Sequence, residues 1–283
     1  MAKPVMITAD STCDLSEALK AEFNIKIIPL TIVLGDSSFL DGAGFTPADM
    51  YERYRKDGTL PKTAAPSVQD FLDFFGGFVE AGYEIVHLDI SSELSNTLNA
   101  ARLASHELEG VYTVDSRMLS TGVGLLALEG ARLRELGWCA KDIAAELERL
   151  TAKVDTSFVL DTLQFMWKGG RCSGVAALGA NLLHLKPALQ MNEGKLEVYK
   201  KYRGGIESVY RQYIKERLEG KSIRGEHVFI TESGEVEESV INELEALIRE
   251  IAPNVRRVHH TLAGCTVSSH CGPKTLGVLF INE

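Results

Sequence analysis

Residues 83–101 of the chain, YEIVHLDISSELSNTLNAA, contain the junction that decides the fold. The stretch 83–90 is mostly apolar, as in a short buried strand, and a helical pattern begins near Thr97. The chain between them gathers uncharged hydrogen-bonding side chains: Ser91, Ser92, Ser95, Asn96 and Thr97. Ser95 or Asn96 can cap the helix, and a cap needs only one or two such groups. The junction therefore has more hydroxyl groups than its local structure requires.

These surplus hydroxyls stand beside the start of a helix. A helix N-terminus offers unpaired N–H groups and a partial positive charge, which favour an anion. The junction therefore predicts a neutral cradle for a carboxylate or a phosphate. Capping and turn formation alone are the alternative interpretation.

Short apolar strands and amphipathic helices alternate through the first half of the chain. Thr46 and Pro47 open one helix, with Thr46 as its cap, and Ser67 caps another. Residues 25–34, IKIIPLTIVL, are expected to form a single strand. The alternation predicts right-handed βαβ units, so we expect an α/β domain over residues 1–152 with a mainly parallel sheet and flanking helices.

The second half, residues 153–283, has a different pattern. LKPALQM and KLEVYKKY, separated by Asn192-Glu193-Gly194, predict an antiparallel hairpin. Further helices and strands follow, and residues 175–183, VAALGANLL, are expected to be helical. We therefore expect a second, mixed-sheet α+β domain, which makes the protein a two-domain α/β chain.

Composition limits the class of protein. The chain has 283 residues, a net charge of −9 and no Lys/Arg run longer than two, which argues against nucleic acid as a partner. No apolar run approaches the roughly 20 residues that span a bilayer, and no signal peptide is evident, so a cytoplasmic location is expected. The five cysteines form no CxxC pair and are expected to be free thiols.

Three further segments carry candidate binding residues. Thr63 lies between two prolines in PKTAAPS, Arg171 follows a Gly-Gly pair in WKGGRCSG, and His270 precedes a Gly-Pro break in SSHCGPKTLG. The Gly-Gly pair indicates a close approach of the backbone to another group. A plain loop, a solvated arginine and a structural histidine are the respective alternatives.

Other chemistries fit the sequence less well. A zinc site could draw on residues near the C-terminus, but their spacing matches no closed zinc motif; they are His259, His260, Cys265, His270 and Cys271. GxSxG and P-loop motifs are missing, and His270 has no acidic partner close in sequence. The sequence therefore shows hydrogen-bond donors without a catalytic set, and no cofactor is expected.

Seven motifs in order resemble the DegV family of bacterial fatty-acid-binding proteins, which includes the FakB subunits of fatty acid kinase. They are ADSTCDL, PKTAAPS, ISSELSNTLNAA, VDSRMLSTG, DTLQFMWKGGR, LLHLKPAL and SSHCGPKTLG. The resemblance runs from residue 5 to residue 281. It departs from the usual family pattern at Ala64, at Asn96 and at Lys274.

The resemblance implies a ligand held between two domains, with the carboxylate bound by hydroxyls and a histidine and the acyl chain in an apolar tunnel. The residues that match the ligand positions are Thr63, Ser92 and His270, with Ser95, Asn96, Arg171 and Arg203 nearby. It further implies a carrier, not an enzyme, that presents a long-chain fatty acid to a separate kinase subunit for acyl-phosphate formation. We also expect transient contact with a membrane surface during ligand exchange. The alternatives are a hydrolase or acyl-transferring enzyme that uses Ser92 with His270, and a metal-dependent protein.

Overall fold

The computed structural model describes residues 3–171 and 185–283, and the chain divides into two compact units. Unit 1 comprises Met1–Gly44 and Pro61–Ala152, and unit 2 comprises Phe45–Leu60 and Lys153–Glu283. The contiguous division predicted from the sequence, at residues 152 and 153, differs from this one in the segment Phe45–Leu60. Segment Phe45–Leu60 packs within unit 2, where its buried Tyr51 donates a hydrogen bond to the carbonyl of Ser233 at 2.7 Å.

The helices and strands are numbered in chain order among the described residues. The first part of the chain forms β1 (Val5–Asp10), α1 (Glu17–Glu22), β2 (Ile25–Ile28), β3 (Thr31–Leu34), β4 (Ser37–Leu40), α2 (Pro47–Asp57), β5 (Lys62–Ala64), α3 (Val68–Glu80), β6 (Glu84–Asp89), α4 (Thr97–Ser105), β7 (Val111–Asp115), α5 (Thr121–Glu135) and α6 (Ala140–Leu150). The rest forms β8 (Val154–Val159), α7 (Gln164–Gly169), β9 (Leu185–Asn192), β10 (Lys195–Arg203), α8 (Ile206–Leu218), β11 (Ile223–Glu232), α9 (Glu238–Ile251), β12 (Arg257–Leu262), α10 (Cys265–Cys271) and β13 (Leu276–Asn282).

Unit 1 is built on a four-stranded parallel sheet with strand order β2-β1-β6-β7. On one face, Phe71 and Phe75 of α3 pack with Ile85 of β6 and the small residues of α4. On the other face, a Cβ at Gly130 of α5 would contact Ile7 of β1, so α5 lies directly on the sheet. The predicted parallel sheet with helices on both faces is confirmed.

The prediction of one strand over residues 25–34 was wrong. Pro29 separates β2, which belongs to the parallel sheet, from β3, which belongs to a three-stranded antiparallel sheet of order β4-β3-β5. A proline has no N–H to give to a strand ladder, so the chain leaves the first sheet there. Strand β5 carries Thr63, which pairs with Ile32 of β3.

Unit 2 is built on a six-stranded mixed sheet of order β10-β9-β8-β13-β11-β12. Only the β11–β12 pairing is parallel among its described strands, so the predicted mixed sheet is confirmed. The hairpin of β9 and β10 turns at Glu193 and Gly194, both with positive φ (47° and 84°), as a tight hairpin requires. The helix expected over residues 175–183 lies outside the described residues.

Helices α8 and α9 cover one face of the sheet in unit 2. Tyr213 of α8 is fully buried, and its hydroxyl accepts a hydrogen bond from the Val278 N–H of β13 at 2.9 Å. The same hydroxyl donates to the Ser157 carbonyl of β8 at 2.7 Å. One side chain therefore ties the helix layer to two neighbouring strands.

The longest described helix, α5, has 15 residues, whereas a span of the bilayer takes about 20. Throughout residues 3–171 and 185–283, the helices fall short of the length and apolarity that crossing a membrane demands.

Candidate functional site

Three aspartates end neighbouring strands of the parallel sheet in unit 1. Asp10 ends β1, Asp89 ends β6 and Asp115 ends β7, and Asp89 lies opposite Asp115 in the strand register. The carboxyl ends of parallel strands are where open α/β sheets place ligands. The residues that follow these strands are therefore the candidate site residues of unit 1.

Asp10 holds the start of the serine-rich loop in place. Its Oδ2 accepts a hydrogen bond from the Ile90 N–H at 2.8 Å, and its Oδ1 accepts from the backbone and hydroxyl of Thr12. Burial, with a smaller contribution from the charge of Asp89, raises the pKa of Asp10 to about 7. A fully buried carboxyl group with this pKa is protonated in a large fraction of molecules at neutral pH.

A histidine in the core connects to the same set of acidic groups. His87 Nε2 lies 3.0 Å from Asp89 Oδ1, and His87 Nδ1 lies 2.8 Å from the Thr8 hydroxyl. Asp89 Oδ2 is buried and finds no hydrogen-bond partner among the described residues. The ring of His87 packs edge-on against Phe71 and Phe75. His87 is therefore a structural residue that supports the strand end below the loop.

Ser92 is exposed and bonded to Asp115. Its hydroxyl donates to Asp115 Oδ2 at 2.5 Å, and its backbone N–H donates to Asp115 Oδ1 at 3.3 Å. The neighbouring Ser91 is fully buried, and its N–H donates to the Met118 carbonyl at 2.8 Å. The first serine thus fixes the loop, while the second presents its oxygen at the surface of unit 1.

Ser95 and Asn96, the two predicted cap residues of α4, have different roles at the helix start. Asn96 occupies the N-cap position but makes no side-chain cap hydrogen bond. The Ser95 hydroxyl accepts from the Thr97 N–H at 3.3 Å and lies 2.7 Å from the Thr97 hydroxyl. The Ser95 hydroxyl is therefore engaged in hydrogen bonds with the first residue of the helix, while Asn96 is exposed.

Thr63 is held by the strand β5. Its backbone pairs with Ile32, its side chain is half-buried, and the prolines on either side, Pro61 and Pro66, are buried. The predicted stiff loop is therefore in part a short strand. This pairing fixes the direction of the Thr63 side chain within unit 1.

His270 lies near the end of α10 in unit 2, as predicted from the Gly-Pro break. Its Nδ1 is buried and has no hydrogen-bond partner in the part of the chain that the structure describes. A Cβ at Gly169, the last residue of α7, would lie only 2.2 Å from this nitrogen. The predicted close approach at the Gly-Gly pair is confirmed, and the group that approaches is the imidazole.

Arg171 and His270 come together in unit 2. Arg171 is exposed, and its guanidinium donates to the Gly169 carbonyl at 2.8 Å. Burial, and secondly the charge of Arg171, lower the pKa of His270 to about 4. His270 is therefore neutral at pH 7. Arg203 ends β10 and is exposed.

An aromatic cluster borders the histidine. Phe165 of α7 packs against Tyr51 and Tyr54 of α2, with ring centroids 5.7 Å and 4.7 Å apart. A Cβ at Gly272, which follows α10, would lie 2.6 Å from the Phe165 ring. Glycines therefore let α7 and α10 approach closely on both sides of the contact. The Gly-Gly pair predicted the close approach at Gly169, whereas the Gly-Pro break at Gly272 predicted only a helix end.

The residues considered for zinc have other contacts. His259 Nε2 lies 2.9 Å from His227 Nδ1, His260 lies 3.5 Å from a Glu232 oxygen, and the Cys265 thiol contacts the Phe45 carbonyl. Within the described ranges, no three His, Cys, Asp or Glu side chains are grouped as metal ligands.

Comparison with known proteins gives a match along nearly the whole chain. The family model described as an uncharacterised protein of the DegV family matches residues 4–283. A DegV domain-containing protein of Clostridium perfringens is 31% identical over 282 residues, which cover 99% of each chain.

Solved structures agree with this assignment. A DegV family protein of Thermus thermophilus, described by its fatty acid binding, is 30% identical, with a TM-score of 0.89 over 99% of this chain and 100% of that one. A hypothetical protein of Thermotoga maritima, described as having a fatty acid binding function, is 27% identical, with a TM-score of 0.84 over 99% and 100% of the two chains. The two-unit fold, the seven motifs and these full-length matches lead to one conclusion: the chain belongs to the DegV family.

Proposed function

We propose that this protein binds a long-chain fatty acid. The observation that carries the proposal is the full-length likeness, at 30% identity and a TM-score of 0.89, to a DegV protein described by its fatty acid binding. The side chains in the two units are consistent with it. They offer hydroxyls, a neutral imidazole and an arginine, which suit a carboxyl group.

In this proposal Thr63, Ser92 and His270 bind the carboxyl group. Arg171 contributes positive charge beside His270, and Ser95 and Asn96 flank the loop that carries Ser92. Ser92 can donate to a ligand only by turning its hydroxyl away from Asp115, to which it now donates at 2.5 Å. Asp115 therefore competes with the ligand for the hydrogen bond that the Ser92 hydroxyl can donate.

The acyl chain supplies most of the affinity. Burial of a methylene contributes about 0.8 kcal/mol, so a long chain contributes on the order of 10 kcal/mol before the costs of association. A hydrogen bond to a charged group contributes about 1.5–3 kcal/mol. The polar residues therefore mainly decide which end of the ligand is presented.

We propose further that the protein acts as a carrier. It presents the fatty acid to a separate kinase subunit, which forms the acyl phosphate, and it exchanges ligand through transient contact with a membrane surface. Among the described residues of unit 1, the Ser92 hydroxyl donates its hydrogen bond to a carboxylate, Asp115. That pairing is not one that activates a serine in hydrolases, which use a histidine base.

The binding proposal is tested with the purified protein. Native mass spectrometry before and after removal of lipid should show a long-chain acid, and added oleate or palmitate should raise the melting temperature of the lipid-free protein. Ser92→Ala and Thr63→Ala should weaken binding, whereas Ser38→Ala, at an exposed position of unit 1, should not. If no acid copurifies and neither acid raises the melting temperature, the proposal is wrong.

The carrier proposal has its own tests. Incubation of the loaded protein with the catalytic subunit of a bacterial fatty acid kinase and ATP should yield acyl phosphate, and the protein alone should yield none. Sedimentation with anionic vesicles should detect weak association with a membrane. Turnover of an activated ester that disappears in Ser92→Ala would instead identify a hydrolase.

A further inference from the structure

The contact between α7 and α10 is interlocked through two glycines. The ring of His270 occupies the space that a side chain at Gly169 would fill, with Nδ1 at 2.2 Å and both Cγ and Cε1 at 3.1 Å from the Cβ position. In return, the ring of Phe165 occupies the space that a side chain at Gly272 would fill. Each helix thus inserts one ring over a glycine of the other. This arrangement leaves the imidazole little freedom to move.

The interlock also decides which ring nitrogen carries the proton. Nδ1 is buried against Gly169 and has no hydrogen-bond partner among residues 3–171 and 185–283. A buried N–H without an acceptor and a buried acceptor without a donor both carry a desolvation cost, but folded proteins tolerate the orphaned N–H less often. The proton of the neutral ring therefore belongs on Nε2.

We infer that Gly169 is a positioning residue that holds His270 as a neutral ring with its proton on Nε2, so that His270 offers the ligand one hydrogen-bond donor and no charge. This inference rests on the proposed fatty-acid site. It assigns the positive charge beside the head group to Arg171 and the directional donor to His270. A carboxylate would then bind without forming an ion pair with the histidine.

The charged groups around α10 are consistent with a neutral histidine. Helix α7 and the residues after it bring Lys168 and Arg171, and Lys168 is bonded to the Tyr54 hydroxyl at 3.2 Å. Helix α2 also packs on α10, and its titratable side chains are Asp49, Tyr51, Glu52, Arg53, Tyr54, Arg55, Lys56 and Asp57. Cys265 and Cys271 are the titratable neighbours of His270 on α10 itself. Arg171 is the charge that acts on the titration of His270, and it disfavours protonation.

The first experiment is nitrogen NMR of the ligand-free protein, with the His270 signals assigned from His270→Ala. We expect an unprotonated Nδ1, a protonated Nε2, and a pKa near the value of about 4. In Gly169→Ala the added methyl group displaces the ring, so the pKa of His270 should rise towards its ordinary value. Gly205→Ala, where nothing lies within 4 Å of the added atom, is the matched control and should leave the signals unchanged.

The second experiment measures fatty acid affinity in two variants of the histidine. His270→Gln places an amide N–H near the position of Nε2, and His270→Asn places one near the position of Nδ1. We expect Gln to retain most of the wild-type affinity and Asn to lose about tenfold or more, with Gly169→Ala resembling Asn. Better retention by Asn than by Gln would overturn the inference.

The two experiments separate this inference from the proposed function. A protein that binds no fatty acid refutes the function, while the NMR spectrum still decides where the proton lies. A protonated Nδ1 in the wild-type protein refutes the inference even if fatty acid binds. Should Gly169→Ala fail to fold, the wild-type spectrum and the Gln and Asn variants decide the question.

Discussion

Replacement of Asp89 by asparagine tests the acidic group that supports the serine-rich loop. Asp89 is fully buried, and its charge is the second cause, after burial, of the raised pKa of Asp10. An asparagine keeps the oxygen that lies 3.0 Å from His87 Nε2, and its NH2 group replaces Oδ2, which has no hydrogen-bond partner within the described ranges. The substitution therefore removes a charge with little change of shape.

The expected effect follows from the pKa of Asp10, which is raised from its ordinary value of 3.8 to about 7. Because the folded protein holds this proton more tightly than the unfolded chain, stability falls as the pH rises from about 4 to about 7. A shift of about three units corresponds to roughly 4 kcal/mol over that range. In Asp89→Asn the burial remains but the repulsion is gone, so the pKa of Asp10 drops; each unit of the drop restores about 1.4 kcal/mol at neutral pH.

Urea unfolding at pH 4, 5.5 and 7 measures this difference. We expect the free energy of unfolding of Asp89→Asn to fall less between pH 4 and pH 7 than that of the wild-type protein. Asp36→Asn removes an exposed carboxylate from the same unit and should follow the wild-type curve. An Asp89→Asn curve with the wild-type pH dependence would show that the charge of Asp89 does not act on Asp10.

Three further substitutions test individual contacts. In Asp115→Asn the remaining oxygen keeps the N–H groups of Ser92 and Arg117, and the NH2 group faces the Ser92 hydroxyl, which can no longer donate there. The hydroxyl hydrogen then becomes available to a ligand, so fatty acid affinity should rise about tenfold, and a decrease in titrations with oleate would contradict this role. In Tyr213→Phe the buried Val278 N–H loses its acceptor, so the free energy of urea unfolding should fall by about 1–3 kcal/mol, and an unchanged value would argue against the contact. Ser67→Ala removes one half of the capping box with Asp70 and should lower the same quantity by about 1 kcal/mol, whereas Ser38→Ala should not.

Helices and strands were predicted well from local signals, because each signal depends only on residues that are close in sequence. Thr46 and Ser67 were predicted as caps, and both form complete capping boxes, with Asp49 and Asp70. The wrong prediction of a single strand across Pro29 has a different origin. Strand β3 pairs with β4 and β5, and these partners cannot be identified from the sequence of β3 alone. Helix α6 was not predicted, although Ile143, Leu147 and Leu150 have helical spacing and are buried.

The candidate site was predictable in its residue types but not in its contacts. The hydroxyls after β6 and the histidine at a helix end follow from the sequence. Other contacts join residues far apart in the chain, such as Ser92 with Asp115 and His270 with Gly169, and depend on tertiary packing. Segment Phe45–Leu60 shows the same limit, because its place in unit 2 depends on partners such as Ser233.

The acidic strand ends of unit 1 give a physical reason for neutral donors in the proposed fatty-acid site. Asp10, Asp89 and Asp115 end strands at the edge that carries Ser92, and Asp10 is protonated in a large fraction of molecules at neutral pH. An anion at Ser92 would therefore meet the carboxylate of Asp115 as well as hydroxyls. A buried charged partner for the ligand would offset that repulsion, but burying an ion pair carries a large desolvation cost, whereas Arg171, to which we assign the positive charge, is exposed. In the proposed site, hydroxyls and a neutral imidazole would hold the head group with moderate strength, and the acyl chain would dominate the affinity. The proposed carrier role needs this balance, because the carboxyl group must be oriented and still remain easy to release.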